Sequence, residues 1–139
     1  MVCLGNICRS PLAEGILKSK LPEKFTVESV GTIDMHEGSA PDQRSTNVAK
    51  IHGLDISYQK SKHLQTENLE YYDSIFCMDR NNLKDVQSLA TDEKELQKIS
   101  LILENKEVPD PYWGNSEDFE NVYQLLDEAC EKIAKDLKY

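Results

Sequence analysis

The chain has 139 residues, 39% hydrophobic and 29% charged, with only 6 Gly and 5 Pro. That is enough for one buried core and too little for two ordinary domains, and it excludes a low-complexity or disordered chain. A formal net charge of -9 repels phosphate backbones and argues against nucleic acid as a partner, while no apolar run approaches the about 18 residues of a membrane span and no leader is evident, so a single cytoplasmic domain over residues 1–139 is expected.

In chain order, Ser10 is expected to cap a first helix that opens on Pro11, carries Leu12, Ile16 and Leu17 on one side and runs to about Lys20. Residues 25–30, FTVESV, alternate like a strand stopped by Gly31. Asp42 is placed to cap a second helix through Val48 and Ile51, with Gly53 suited to the left-handed position past its end. SIFCM at 74–78 and ISLIL at 99–103 read as buried strands, with a helix over Asn81–Leu89 between them. From Ser116 onward Phe119, Val122, Tyr123, Leu126, Cys130 and Ile133 recur at three- and four-residue steps, the stripe of a long amphipathic helix. Strands alternating with helices predict a parallel sheet covered on both faces, with any ligand outside the carboxyl ends of the strands.

Residues 2–15, VCLGNICRSPLAEG, occupy such a place. Cys3 to Arg9 form a C-x5-R loop ahead of a helix amino terminus, and successive backbone N–H groups of Leu4, Gly5, Asn6, Ile7, Cys8 and Ser10 can make an anion nest. Gly5 lets the backbone approach a ligand, Asn6 tolerates a left-handed turn, and Arg9 can grip two oxygens of a tetrahedral anion at once. The helix dipole and Arg9 both favour a thiolate at Cys3, a nucleophile beneath a phosphorus atom, and the Ser10 hydroxyl can donate to that sulfur. The four cysteines lack the paired spacing of a zinc site, so no metal and no cofactor is expected, and Cys77 and Cys130 read as small core residues. A departing oxygen needs a proton, and VPDPYWG at 108–114 offers Asp110 between two prolines, followed by Tyr112 and Trp113 as walls for an aromatic ring.

VCLGNICRSP together with DPYWG resembles the low-molecular-weight protein tyrosine phosphatase family, and SVGT, HGLD, FCMDRNNL and DFENVY extend the likeness along the chain. The resemblance implies a three-layer sandwich around a central four-stranded parallel sheet. It implies Cys3 as nucleophile, Arg9 as phosphate binder and Asp110 as general acid and then base. Asn6, Ser10, Ser29 and Asp79 would support the loop, and Cys8 would trap oxidised Cys3 as a reversible disulfide. The implied partners are tyrosine-phosphorylated proteins, met by a monomer or weak dimer without nucleic acid or membrane.

Two features depart from the family pattern. Only Met1 and Val2 precede Cys3 where the family has an apolar strand, so the first strand is expected to be cut short at its amino end. Met35 stands where an aromatic residue often lines the cleft. Thioredoxin-coupled arsenate reductases share the loop but need a further cysteine pair, and arginine phosphatases tend to carry Thr at the place of Ile7. A phosphate- or phosphotyrosine-binding module would need neither Cys3 nor Asp110.

Overall fold

Short apolar runs separated by helices leave the backbone few ways to pair its polar groups, and the computed structural model, which describes residues 1–137, adopts the parallel arrangement. In chain order the elements are β1 (Val2–Cys3), α1 (Arg9–Lys20), β2 (Val30–Gly31), α2 (Gln43–Ile51), α3 (Thr66–Tyr71), β3 (Ile75–Cys77), α4 (Arg80–Leu89), α5 (Glu93–Leu96), β4 (Ile99–Leu101) and α6 (Ser116–Leu137). The strands form one parallel sheet in the order β2-β1-β3-β4, with Val2 opposite both Val30 and Cys77, and Ile75 opposite Ile99. Alternation along the strands sorts side chains between two cores. Cys3 joins Leu12 and Ile16 of α1, Val48 of α2 and Phe119 and Leu126 of α6, while Val2, Ile75, Cys77 and Ile99 face Leu69 of α3 and Val86 of α4. The expected sandwich, helices on both faces of a four-stranded parallel sheet, is therefore present.

Several local expectations need correction. Ser10 does not cap α1: the cap position is Cys8, no side chain caps there, and Ser10 lies in the first turn. The loop itself wraps that helix end, so the hydroxyl is free to turn inward; Pro11 still costs nothing, because the N–H groups of a first turn lack helical partners anyway. The strand expected over 25–30 shrinks to Val30–Gly31, because β1 beside it is itself only Val2–Cys3 and a strand pairs no further than its neighbour. β1 is as short as expected yet bonded on both sides: Val30 N donates to Met1 O and Met78 N to Val2 O, each at 3.0 Å, and the Met1 ammonium donates to Glu28 O at 3.0 Å. A cavity of about 650 Å³ lies at the amino-terminal ends of β1 and β3, lined by Met1, Phe25, Val27, Tyr72 and Phe76 among others, and contains none of Cys3, Arg9 or Asp110. The short helices α3 and α5 were not expected; α3 buries Leu69 alone, too little to show a period. Asp42 does cap α2, accepting from Arg44 N, and Gly53 follows with φ +81°.

The order β2-β1-β3-β4 makes β1 the place where connections diverge, a crevice in which loops leaving neighbouring strands meet. The loop after β1 and Asp79, two residues past the end of β3, come together there. None of the helices among the described residues is long and apolar enough to cross a membrane.

Candidate active site

Two consecutive constraints shape the loop between β1 and α1. Asn6 takes φ +55°, the left-handed conformation that an asparagine tolerates, and its backbone N–H thereby points at Cys3 Sγ, 3.3 Å away. Ser10 Oγ lies 3.0 Å from the same sulfur. The Asn6 amide ties the turn together, donating to Ser10 Oγ at 2.7 Å and Ser29 Oγ at 2.9 Å and accepting from Lys62 N at 2.9 Å. The outer wall is fixed by Ser61 Oγ on Gly5 O, Asp42 N on Ile7 O and Ser45 Oγ on Cys8 O. Cys3, Asn6, Arg9 and Ser10 are all buried.

Arg9 owes its direction to two partners distant in sequence. Its Nη1 donates to Asp79 Oδ2 at 2.8 Å and to Val108 O at 2.9 Å. Asp79 also caps α4 through its other oxygen, accepting from Asn82 N at 2.8 Å, so one carboxylate locks the helix to the guanidinium. Arg9 Nη2 remains turned toward Asp110, whose Oδ2 lies 3.7 Å away. Asp110 is far less confined: its side chain is 44% exposed and its Oδ1 closes a small turn by accepting from Tyr112 N at 3.1 Å.

The aromatic pair behind Asp110 divides in two. Tyr112 is half-buried with the Arg44 guanidinium 5.6 Å from its ring centre, whereas Trp113, edge-on to it at 4.9 Å, is 92% exposed. Arg44 also donates to Gly114 O and pairs with Asp42, joining the start of α2 to the end of the acid loop. Leu4 and Met35 are exposed, and beside Met35 the ring of His36 stands so close to Gly5 that a Cβ there would meet it at 2.9 Å.

The remaining sulfurs have a different character. All four cysteines are reduced and buried. Burial, with Asp42, Cys3 and Asp110 adding to it, pushes the Cys8 thiol up to about 12, and burial does the same to Cys77 and Cys130. These thiols are protonated at neutral pH.

The chain matches the family model described as low molecular weight phosphotyrosine protein phosphatase over residues 1–139. It belongs to that family. The human low molecular weight phosphotyrosine protein phosphatase is 35% identical over 140 aligned positions, covering 93% of this chain and 88% of the relative. Among solved structures, the protein tyrosine phosphatase of Entamoeba histolytica with Hepes in its active site superposes with a TM-score of 0.93 at 35% identity, covering 99% of this chain and 94% of the other. Vibrio vulnificus Wzb in complex with benzylphosphonate gives a TM-score of 0.89 at 34% identity, covering 97% and 94%. The chain is accordingly a phosphatase.

In this phosphatase, sequence reasoning missed three groups that brace the loop. Gly31 is one: a Cβ there would come within 2.8 Å of Leu4 O and 3.0 Å of Asn6 N, so the SVGT glycine is a place of close backbone approach. The carbonyl of Val108 is another, and no side-chain pattern reports a carbonyl. The third is Glu14, which accepts from Ser29 Oγ at 2.8 Å and was indistinguishable in sequence from any helical glutamate.

Proposed function

We propose that the phosphatase hydrolyses phosphotyrosine on proteins through a phosphocysteine intermediate, with Cys3 as nucleophile, Arg9 as phosphate binder and Asp110 as general acid and base. The observation that carries this reading is the grouping of Cys3, Ser10, Arg9 and Asp110: a sulfur with the Asn6 N–H aimed at it and the Ser10 hydroxyl 3.0 Å away, a buried guanidinium held by Asp79, and a carboxyl within 3.7 Å of its free end. The thiolate attacks phosphorus, forming the S–P bond as the P–O bond to tyrosine breaks; Asp110 gives its proton to the departing phenolic oxygen. Arg9 and the loop amides hold the three equatorial oxygens, whose charge spreads in the transition state. Asp110, now ionised, takes a proton from water as that water attacks phosphorus, and the S–P bond breaks to return the thiolate and inorganic phosphate.

Tyr112 and Trp113 favour an aromatic leaving group, and Wzb's ligand, benzylphosphonate, likewise joins a phenyl ring to a tetrahedral phosphonate. Cys8 is the proposed redox guard. Peroxide oxidises the Cys3 thiolate to sulfenic acid, and the Cys8 sulfur displaces water from it to close a disulfide that added thiol reopens. The high proton affinity of Cys8 makes that closure slow at neutral pH. Turnover of p-nitrophenyl phosphate and of a phosphotyrosine peptide tests the assignment: Cys3→Ser is expected to lose at least about a thousandfold in kcat while still binding phosphate. Turnover retained in that variant overturns it.

A further inference from the structure

Glu14 is a carboxylate on the inner side of α1, only 6% exposed, whereas helical glutamates normally stand in solvent. Both its oxygens are committed. Oε1 accepts from Ser29 Oγ at 2.8 Å, and Oε2 is met at 2.7 Å by Lys18 Nζ one turn later, which in turn donates to Tyr58 Oη at 3.1 Å. An i,i+4 pair alone could equally lie in solvent, so the pairing explains neither the burial nor the choice of Ser29 as partner.

Following the protons explains both. An ionised carboxylate can only accept, so the one proton of the Ser29 hydroxyl points at Glu14. Ser29 Oγ must then accept at its other contact, from Asn6 Nδ2 at 2.9 Å. The Asn6 amide cannot be turned round, because its Oδ1 already accepts from Lys62 N and a reversed amide would set two donors against each other. Its second N–H is therefore given to Ser10 Oγ at 2.7 Å, and Ser10, having accepted, has its own proton left for Cys3 Sγ at 3.0 Å. Every bond in the series has one direction, and a thiolate at its far end is what that direction suits.

We propose that Glu14 is a positioning residue of the phosphatase site, its buried charge fixing the Ser29 proton so that the Asn6 amide is held and the Ser10 O–H is delivered to the Cys3 sulfur. Glu14 touches neither substrate nor sulfur and acts only through Ser29, Asn6 and Ser10. This deepens the phosphocysteine reading and rests on it. Besides Lys18, the Met1 ammonium and Tyr72 sense the charge of Glu14, and Tyr58 meets it through Lys18, so these groups belong in the interpretation of any pH profile.

The test is the rate of Cys3 alkylation by iodoacetate across pH, measured beside kcat and KM for p-nitrophenyl phosphate, in Glu14→Ala, Glu14→Gln, Ser29→Ala and the Glu14→Ala/Ser29→Ala double variant. Glu14→Ala is expected to move the alkylation profile to higher pH and to lower kcat about tenfold with KM changed less than about twofold, and Glu14→Gln, which keeps an acceptor for Ser29, to recover most of that loss. Ser29→Ala should match Glu14→Ala, and the double variant should be no worse than either. A Glu14→Ala protein that loses melting temperature but keeps the alkylation profile and kcat overturns the proposal, since its role would then be structural. Should Glu14→Ala not fold, Glu14→Gln and Ser29→Ala carry the test: Ser29→Ala, which breaks the series at its next member, should move the alkylation profile and lower kcat while Glu14→Gln keeps most of both, and an unmoved profile and kcat in Ser29→Ala overturn the proposal. Cys3→Ser in the same series separates the two readings. Turnover surviving there removes the phosphocysteine mechanism, whereas a dead Cys3→Ser beside a wild-type Glu14→Ala removes only the role of Glu14.

Discussion

The phosphate loop, residues 3–10, and the acid loop, residues 108–115, face each other across Arg9 but are built on opposite terms. In the first, Cys3, Asn6, Arg9 and Ser10 are at most 3% exposed, and side-chain or backbone bonds reach it from Ser29, Asp42, Ser45, Ser61 and Lys62. In the second, Asp110 is 44% exposed and braced chiefly by its own turn, with Arg44 holding the far end at Gly114 O. An anion nest works only if its donors are already in place, because donors that had to reorganise would give back in reorganisation what they gain in attraction. A general acid must instead reach a leaving group whose position varies with the substrate. Under the proposed mechanism, rigidity is concentrated where charge would be bound, and exposure is left where a proton would be delivered.

That contrast can be broken at its joints. The largest effect is expected from Asp110→Asn, which keeps the shape of the exposed side chain but removes its proton: kcat should fall about a hundredfold or more with little change in KM, and the loss should be smaller for p-nitrophenyl phosphate, whose leaving group needs less help, than for phenyl phosphate. Equal losses on both substrates would detach Asp110 from leaving-group protonation.

Gly31→Ala attacks the rigid side from behind. Its Cβ would stand 2.8 Å from Leu4 O and 3.0 Å from Asn6 N, backbone atoms that cannot swing away, so kcat should fall about tenfold and unfolding free energy by about 1–3 kcal/mol, read by steady-state kinetics and denaturant titration. A neutral substitution would show that the loop is softer than its bonds suggest.

A smaller effect comes from alkali. Cys8, Cys77 and Cys130 hold their protons to about 12 in the folded chain, above the about 8.5 of an unfolded cysteine. Between those values the unfolded state has fewer protons bound, so the stability these thiols contribute is complete below about pH 8.5 and is lost as pH climbs toward 12. Melting temperature should decline across that window, and Cys130→Ala should decline less steeply than the parent; parallel slopes would remove that thiol from the effect. Least of all is expected from Trp113→Ala. With 92% of its surface in solvent, the indole should be worth within about 0.5 kcal/mol to folding by denaturant titration and change kcat/KM only a few-fold, for a phosphotyrosine peptide and for p-nitrophenyl phosphate alike.

Much of this site is readable from residue order alone. The C-x5-R spacing, the left-handed Asn6 and the cap at Asp42 are all local, each requiring only neighbours within a few positions, and all are found as the sequence implies. The Ser10 cap fails because the covering loop, not a side chain, occupies the helix end. The strand over 25–30 fails because pairing depends on a partner's length, which no alternation within FTVESV reports.

Sequence by itself therefore determined the order of the strands and the longer helices, the candidate phosphate loop and the candidate nucleophile, since backbone conformation and turn chemistry act over short spans. Only the tertiary structure decided what surrounds them. Placing β1 between β2 and β3 brings Asp79, 70 positions away, and Val108 O, 99 away, onto Arg9, sets Gly31 against the loop backbone and aligns Glu14 and Ser29 behind Asn6. Those contacts follow from sheet order and helix packing, and a buried polar group takes whichever partner that geometry supplies.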